Sequence, residues 1–377
     1  MVKISKIDSI KAREILDSRG IPTVETELET DFGIFRASVP SGISSGKYEA
    51  AELSPKIAIR NINDVIGPSL IGKEVRQQKE IDKFLIKLDG TKNKSKLGAN
   101  AILAVSVAIL RAGAKAKRLP LWKWISKIAG TKVSIPTPCV LFIEGGLHGT
   151  GNLDIQEFMA VFPAKSFKEK LNISKAAFQD LGKILTKKYG IEGAFTPNVK
   201  ETKKALDLLM KIGKKKKIKI ILDVAASHSR LKKTPRYYLN LAKEYPILGI
   251  EDPFPQDDWR NWKKLNPKLL IIGDDLTVTN PSRIKLAQKK KACRGVVIKP
   301  DQIGTVSETI EAVKLAKSYG WKIIVSHRSG ETKDDFISDL AVGLGADFIK
   351  AGAPTQPERM AKYNRLVEIE EELRSAG

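Results

Sequence analysis

At 377 residues with 42% apolar content, the chain is long enough for two domains and a large buried core. Its 66 Lys and Arg against 43 Asp and Glu give a net charge of +23, which favours anionic substrates or partners. No aromatic residue interleaves the lysine run 214–217, so a stacking platform for single-stranded nucleic acid is not indicated, and the two cysteines, Cys139 and Cys293, lack any spacing suited to zinc or redox chemistry.

The first residues, Met1 to Ile10, alternate charged and apolar positions without a run suited to a signal peptide, so a cytoplasmic protein is expected. Strand-like stretches follow at Ile4 to Ile10, Val24 to Thr30 and Ile34 to Val39, the last two joined by the hairpin-type turn Asp31, Phe32, Gly33. A loop of small residues, PSGISSG, spans Pro40 to Gly46. From Pro55 to Ala129 the pattern is helical, with a long alanine-rich segment over Gly98 to Lys117. Its most apolar part, Ala101 to Leu110, is about half of the ~20 residues a membrane-spanning helix needs, so it reads as a buried helix and no membrane span is expected. Sheet followed by helices predicts an α+β domain over residues 1–131.

Residues 132–377 hold a structural repeat of β-branched runs, each stopping at a polar residue. The runs are IKIILD ending at Asp223, ILGIED with Glu251, LLIIGDD with Asp274, GVVIK ending at Lys299, KIIVSH ending at His327 and DFIK ending at Lys350. The marked residues lie 28, 23, 25, 28 and 23 positions apart, with helical stretches such as Asn280 to Lys291 and Thr305 to Tyr319 between them. That is the spacing of βα units, and the series predicts a β/α barrel, which places every such strand end on one face.

The converging side chains define a chemistry. Asp223, Glu251 and Asp274 are hard oxygen donors suited to Mg²⁺. Each alone could be a helix cap or an ion-pair partner, but three on consecutive strands with Lys299 next favour a metal site. Beside a metal and a second lysine, Lys350, the Lys299 amine can act as a base, since neighbouring cations favour its neutral form. Lysine working next to Mg²⁺ is a means of abstracting a proton adjacent to a carboxylate. His327, Arg328, Ser329 and Gly330 add a guanidinium and a hydroxyl suited to phosphate, so the substrate class is a phosphorylated carboxylic acid.

At this point the sequence resembles the enolase (phosphopyruvate hydratase) family, as a short and strongly basic member or paralogue. Matching stretches run in family order: AREILDSRG, VPSGISSGKYEA, QEFM, LDVAAS, IEDPF, GDDLTVTNP, VSHRSGET, IKAGAP, AKYNRL and EIEEEL. The resemblance implies an enolase-type β/α barrel with an N-terminal α+β capping domain, and interconversion of 2-phosphoglycerate and phosphoenolpyruvate. It implies two Mg²⁺ sites: the first at Asp223, Glu251 and Asp274, the second recruited with substrate and completed by Ser44. By the same resemblance Lys299 is the general base, and Glu192 of IEGAFTPN protonates the departing hydroxyl with Glu157 assisting. Lys350 holds the substrate carboxylate, Arg328 and Ser329 the phosphate, and His148, Gln156 and His327 complete the lining. His228 stands where the family has a glutamate and receives no role.

The chain departs from the family pattern at Glu144 and Leu147, which replace asparagine and serine in the loop before His148. It departs also at Ile191 and Ala194 around Glu192, at the shortened segment before them, and at Asp301 after the base. These changes support an alternative, a paralogue acting on a related phosphorylated or hydroxylated acid. A second alternative is a non-enzymatic protein that binds acidic partners through its basic surface. A nucleic-acid partner is not the first expectation. The family's dimer pairs an acid of the N-terminal strand with an arginine of the closing motif; here those positions are Glu25 and Glu368, so a homodimer with a weakened interface is expected.

Overall fold

The computed structural model describes residues 5–43, 46–149, 153–186, 188–213, 217–229, 233–265 and 269–375. Three antiparallel strands come first, β1 (Ile7–Leu16), β2 (Pro22–Thr30) and β3 (Gly33–Ser38), in the order β1-β2-β3. The predicted hairpin is present, with Thr30 opposite Gly33. The first strand is longer than predicted: it runs on through the AREIL stretch, where Arg13 lies opposite Glu25 and Leu16 opposite Pro22. The predicted start at Ile4 lies outside the described residues.

Helices α1 (Pro55–Asn61), α2 (Gly67–Leu70), α3 (Gln78–Asp89), α4 (Ala99–Ala116) and α5 (Leu121–Ala129) follow, with a short π-helical turn at Ile62–Ile66 between α1 and α2. The apolar helix is 18 residues long and fills the alanine-rich segment Gly98 to Lys117. By length and composition it could cross a membrane, but 83% of it is buried inside the protein, where it packs on β2 and β3. Its small side chains allow that close approach on almost all sides.

The rest of the chain closes into an eight-stranded barrel. Its strands are β4 (Thr137–Glu144), β5 (Glu157–Val161), β6 (Lys219–Asp223), β7 (Ile247–Glu251), β8 (Leu270–Gly273), β9 (Gly295–Ile298), β10 (Lys322–Ser326) and β11 (Phe348–Lys350). The six predicted runs are β6 to β11. The strand β5 departs from the all-parallel pattern, pairing antiparallel with both β4 and β6. The reversal brings the start of β5 to the mouth formed by the ends of its neighbours, with Glu157 opposite both Glu144 and Asp223.

Outer helices are α6 (Phe167–Gly182), α7 (Thr202–Gly213), α8 (Pro235–Glu244), α9 (Trp259–Leu265), α10 (Pro281–Lys290), α11 (Val306–Ser318), α12 (Phe336–Gly343) and α13 (Pro357–Ser375). Several begin at residues chosen for the task. Thr234 and Asn280 each accept a backbone N–H and are followed by proline, while Thr305 accepts from Glu308 N–H and donates to the Glu308 carboxylate at 2.7 Å. Such caps contribute about 1 kcal/mol each.

Two buried polar links hold the N-terminal layer on the barrel. Asp82 of α3 accepts from Ser106 Oγ at 2.6 Å and from Ser307 N and Oγ of α11 at 2.9 and 2.6 Å. Arg111 of α4 pairs with Asp334 through both terminal nitrogens, at 2.7 and 2.8 Å. Removing one partner of such a pair would strand the other, at a cost of about 3–5 kcal/mol. Cys139 and Cys293 are free and buried, as their lack of motif implied.

Candidate active site

The barrel mouth collects the residues singled out from the sequence because the strand ends converge there. Asp223, Glu251 and Lys350 are the last residues of β6, β7 and β11, and Asp274, Lys299 and His327 each lie one position beyond β8, β9 and β10. Lys350 is buried, with its ammonium 2.9 Å from Asp223, 3.0 Å from Glu251 and 2.9 Å from Glu157. Lys299 pairs with Asp274, whose other oxygen accepts from Gln302 Nε2 at 2.8 Å. The three expected metal ligands are therefore not drawn to one point. Lys350 sits among Asp223 and Glu251, and Lys299 holds Asp274.

The electrostatics of this group favour an added cation. Four carboxylates, Glu157, Asp223, Glu251 and Asp274, face two ammoniums, Lys299 and Lys350. Burial, then the Asp223 charge, push Glu251 well above the ordinary glutamate range. Burial works against the Lys299 ammonium, yet the neighbouring Asp274 carboxylate outweighs it and holds the pKa above the ordinary lysine value. A divalent ion would balance the surplus of negative charge, and the donors are all hard oxygens, so the set fits Mg²⁺. Among the described residues two further groups could hold a metal: Asp252, Asp274 and Asp275, and His148, Glu157 and Glu192, with donor atoms in each group within 4.8 Å of one another.

Glu192 lies on a tight turn beside the mouth, 3.2 Å from His327 Nε2 and 3.5 Å from His148 Nδ1. Burial would raise its pKa, but His327 and His148 together carry it well below the ordinary value. His148 is also 3.5 Å from Glu157. Burial opposes its imidazolium, and Glu192 with Glu157 raises its pKa despite that. The tautomer of His327 follows from its neighbour. Arg359 approaches Nδ1 at 2.6 Å and can only donate, so the ring proton sits on Nε2 and points at Glu192.

Arg328 and Ser329 meet the small-residue loop from the N-terminal layer. Ser41 and Gly330 exchange backbone hydrogen bonds at 2.8 and 2.9 Å, and Ile43 N–H donates to Ser329 Oγ at 2.9 Å. A Cβ at Gly42 would come within 2.0 Å of the Arg328 guanidinium, so only glycine permits this approach. Arg328 contacts Glu49 at 3.1 Å and Asp301 at 2.9 Å. Gln156 lines the same cavity, whose free space is about 30 Å³, room for one water. Ser44, expected at the second metal, lies outside the described residues.

The N-terminal segment and the barrel both match known families. A family described as "Enolase, N-terminal domain" matches residues 7–125, and one described as "Enolase, C-terminal TIM barrel domain" matches 132–241 and 228–377. The chain belongs to the enolase family. It is 46% identical to "Enolase B" of Dictyostelium discoideum, covering 97% of this chain and 95% of that protein. It is 44% identical to "Enolase 1" of Entamoeba histolytica, covering 97% and 96%. Both alignments run over 420 residues, more than the 377 of this enolase-family chain, so these relatives carry segments that it lacks.

Sequence reasoning left several enolase site neighbours unassigned. Asp252 accepts from the backbone N–H groups of Asp274 and Asp275 at 2.9 and 2.7 Å, fixing the loop after β8. It stood inside the IEDPF stretch, where only Glu251 was given a role. His228 lies 3.2 Å from Asp275. Arg359, fully buried on α13, donates to the Arg328 and Ser329 carbonyls at 2.6 and 2.7 Å, and nothing in its local sequence marks it.

Proposed function

We propose that this chain is a Mg²⁺-dependent carbon–oxygen lyase that interconverts 2-phosphoglycerate and phosphoenolpyruvate, the enolase step of glycolysis and gluconeogenesis, in the cytoplasm. The observation that carries the reading is one cavity lined by Lys299, Glu192, Lys350 and Arg328: a lysine base, a separate glutamate, and two cations for a substrate that bears both a carboxylate and a phosphate. Residues 1–131 cap the barrel of residues 132–377 in this reading, and the small-residue loop closes over the substrate.

Lys299 takes the proton from the carbon next to the substrate carboxylate. The electron pair left behind expels the hydroxyl from the adjacent carbon, and Glu192 or its histidine neighbours deliver the proton that completes water. In the reverse direction Glu192, kept ionised by its histidine neighbours, takes a proton from water. Lys350 holds the carboxylate, and Arg328 with Ser329 holds the phosphate. His148, Gln156 and His327 orient these groups, with Glu157 supporting His148. Mg²⁺ at Asp223, Glu251 and Asp274 would supply charge against that building on the substrate carboxylate and, by engaging Asp274, would remove the partner that keeps Lys299 protonated.

The test is formation of phosphoenolpyruvate from 2-phosphoglycerate, followed by ultraviolet absorbance with and without Mg²⁺. Turnover should vanish on chelation and return with Mg²⁺, whereas full activity in metal-free protein would overturn the reading. One observation favours a second reading. Asp301 opposes the phosphate at Arg328, which suits a less charged hydroxylated acid. Such an acid outpacing 2-phosphoglycerate in a substrate panel would establish that paralogue activity.

A further inference from the structure

The turn 190–194, which carries Glu192, is held by a neighbouring carboxylate that the proposed reaction does not use. Glu144, the last residue of β4, is buried with only 1% of its surface exposed. Its Oε2 accepts from Glu192 N–H at 3.1 Å and its Oε1 from Ala194 N–H at 2.7 Å. The main chain ties the same elements together, since Glu144 N–H donates to the Phe195 carbonyl at 2.9 Å and Gly190 N–H to the Ala194 carbonyl at 2.8 Å. The carboxylate also fills the space under the turn. A Cβ at Gly190 would meet Glu144 Oε2 at 2.4 Å.

We propose that Glu144 is a positioning residue for Glu192. Two backbone N–H groups facing one side need two acceptors, which a carboxylate supplies and an amide does not. The grip sets the turn so that the Glu192 carboxylate reaches His327 at 3.2 Å and His148 at 3.5 Å. Glu144 itself is absent from the cavity lining, so it acts through the turn and touches no substrate. This inference rests on the functional reading above. It assigns to Glu144, a departure from the family pattern, control of the step that Glu192 serves and not of the step that Lys299 serves.

The experiment compares the parent with Glu144→Gln, which keeps the length of the side chain but sets an NH₂ against one of the two N–H groups. Dehydration of 2-phosphoglycerate and exchange of its α-proton with solvent deuterium are measured together, and backbone hydrogen exchange is followed over residues 190–195 by mass spectrometry. The expected result is dehydration slowed about 10- to 100-fold, the scale of an ångström-level misplacement, with α-proton exchange near the parent rate and faster backbone exchange in the turn. Parent-rate dehydration, an equal fall in dehydration and α-proton exchange, or unchanged backbone exchange would overturn the proposal. Glu144→Asp, whose shorter arm keeps the charge but cannot span both amides, gives the same comparison where the Gln variant fails to fold. An inactive parent overturns the functional reading and this inference with it; an active parent with an indifferent variant overturns Glu144 alone.

Discussion

Arg328 already has carboxylate partners, and a phosphate must compete with them. Asp301 lies 2.9 Å from its guanidinium, and burial pushes the Asp301 carboxyl up to about 6. Asp301→Asn removes a full charge without changing shape, so KM for a phosphorylated substrate should fall by about 10- to 100-fold, the range of one charge-assisted contact. Steady-state kinetics check this, and an unchanged KM would show that Arg328 does not bind the phosphate. The strand-end residues were legible because each closes an apolar run. Arg359 and Asp252 were not, because their meaning lies in backbone partners that only folding supplies: Arg359 holds carbonyls 30 and 31 positions away, and Asp252 holds amides 22 and 23 away.

Periodicity located β6 to β11 because each is a short β-branched run bounded by a polar residue and a helix. The strand β5 escaped that pattern. It is five residues long, is buried at every position and follows β4 without an intervening helix, so neither alternation nor βα spacing marks it or its reversed direction. That reversal has a functional consequence. A parallel β5 would carry Glu157 to the closed end of the barrel, whereas the antiparallel strand brings it within 2.9 Å of Lys350. The helix caps were readable from Asn280-Pro281 and Thr234-Pro235, since a side-chain acceptor before proline fits a helix start. The full length of α4 was legible too, since the alanine-rich segment Gly98 to Lys117 brackets Ala99–Ala116.

At the scale of the whole molecule, the N-terminal layer contributes to the site by lying against the barrel. The DSRG segment and the RSGET segment interlock: Ser18 N–H donates to the Glu331 carbonyl at 2.7 Å and Glu331 N–H to Ser18 Oγ at 3.2 Å. The same layer bears on association. Glu25 is engaged by Arg13 at 2.6 Å and Glu368 by Arg365 at 3.1 Å within the chain; in a homodimer that brought these two positions together, such pairing would soften but not cancel the repulsion between the carboxylates. Sedimentation should give Glu368→Arg a tighter dimer than the parent, and equal dissociation constants would count against that pairing. In the proposed function the reaction begins with proton removal by Lys299 at the barrel mouth. The direct measurement is exchange of the α-proton of 2-phosphoglycerate with solvent deuterium, in the presence of Mg²⁺, by the parent and by Lys299→Ala. The parent should exchange and the variant should lose both exchange and dehydration while remaining folded; a folded Lys299→Ala protein that still exchanges the proton would contradict it.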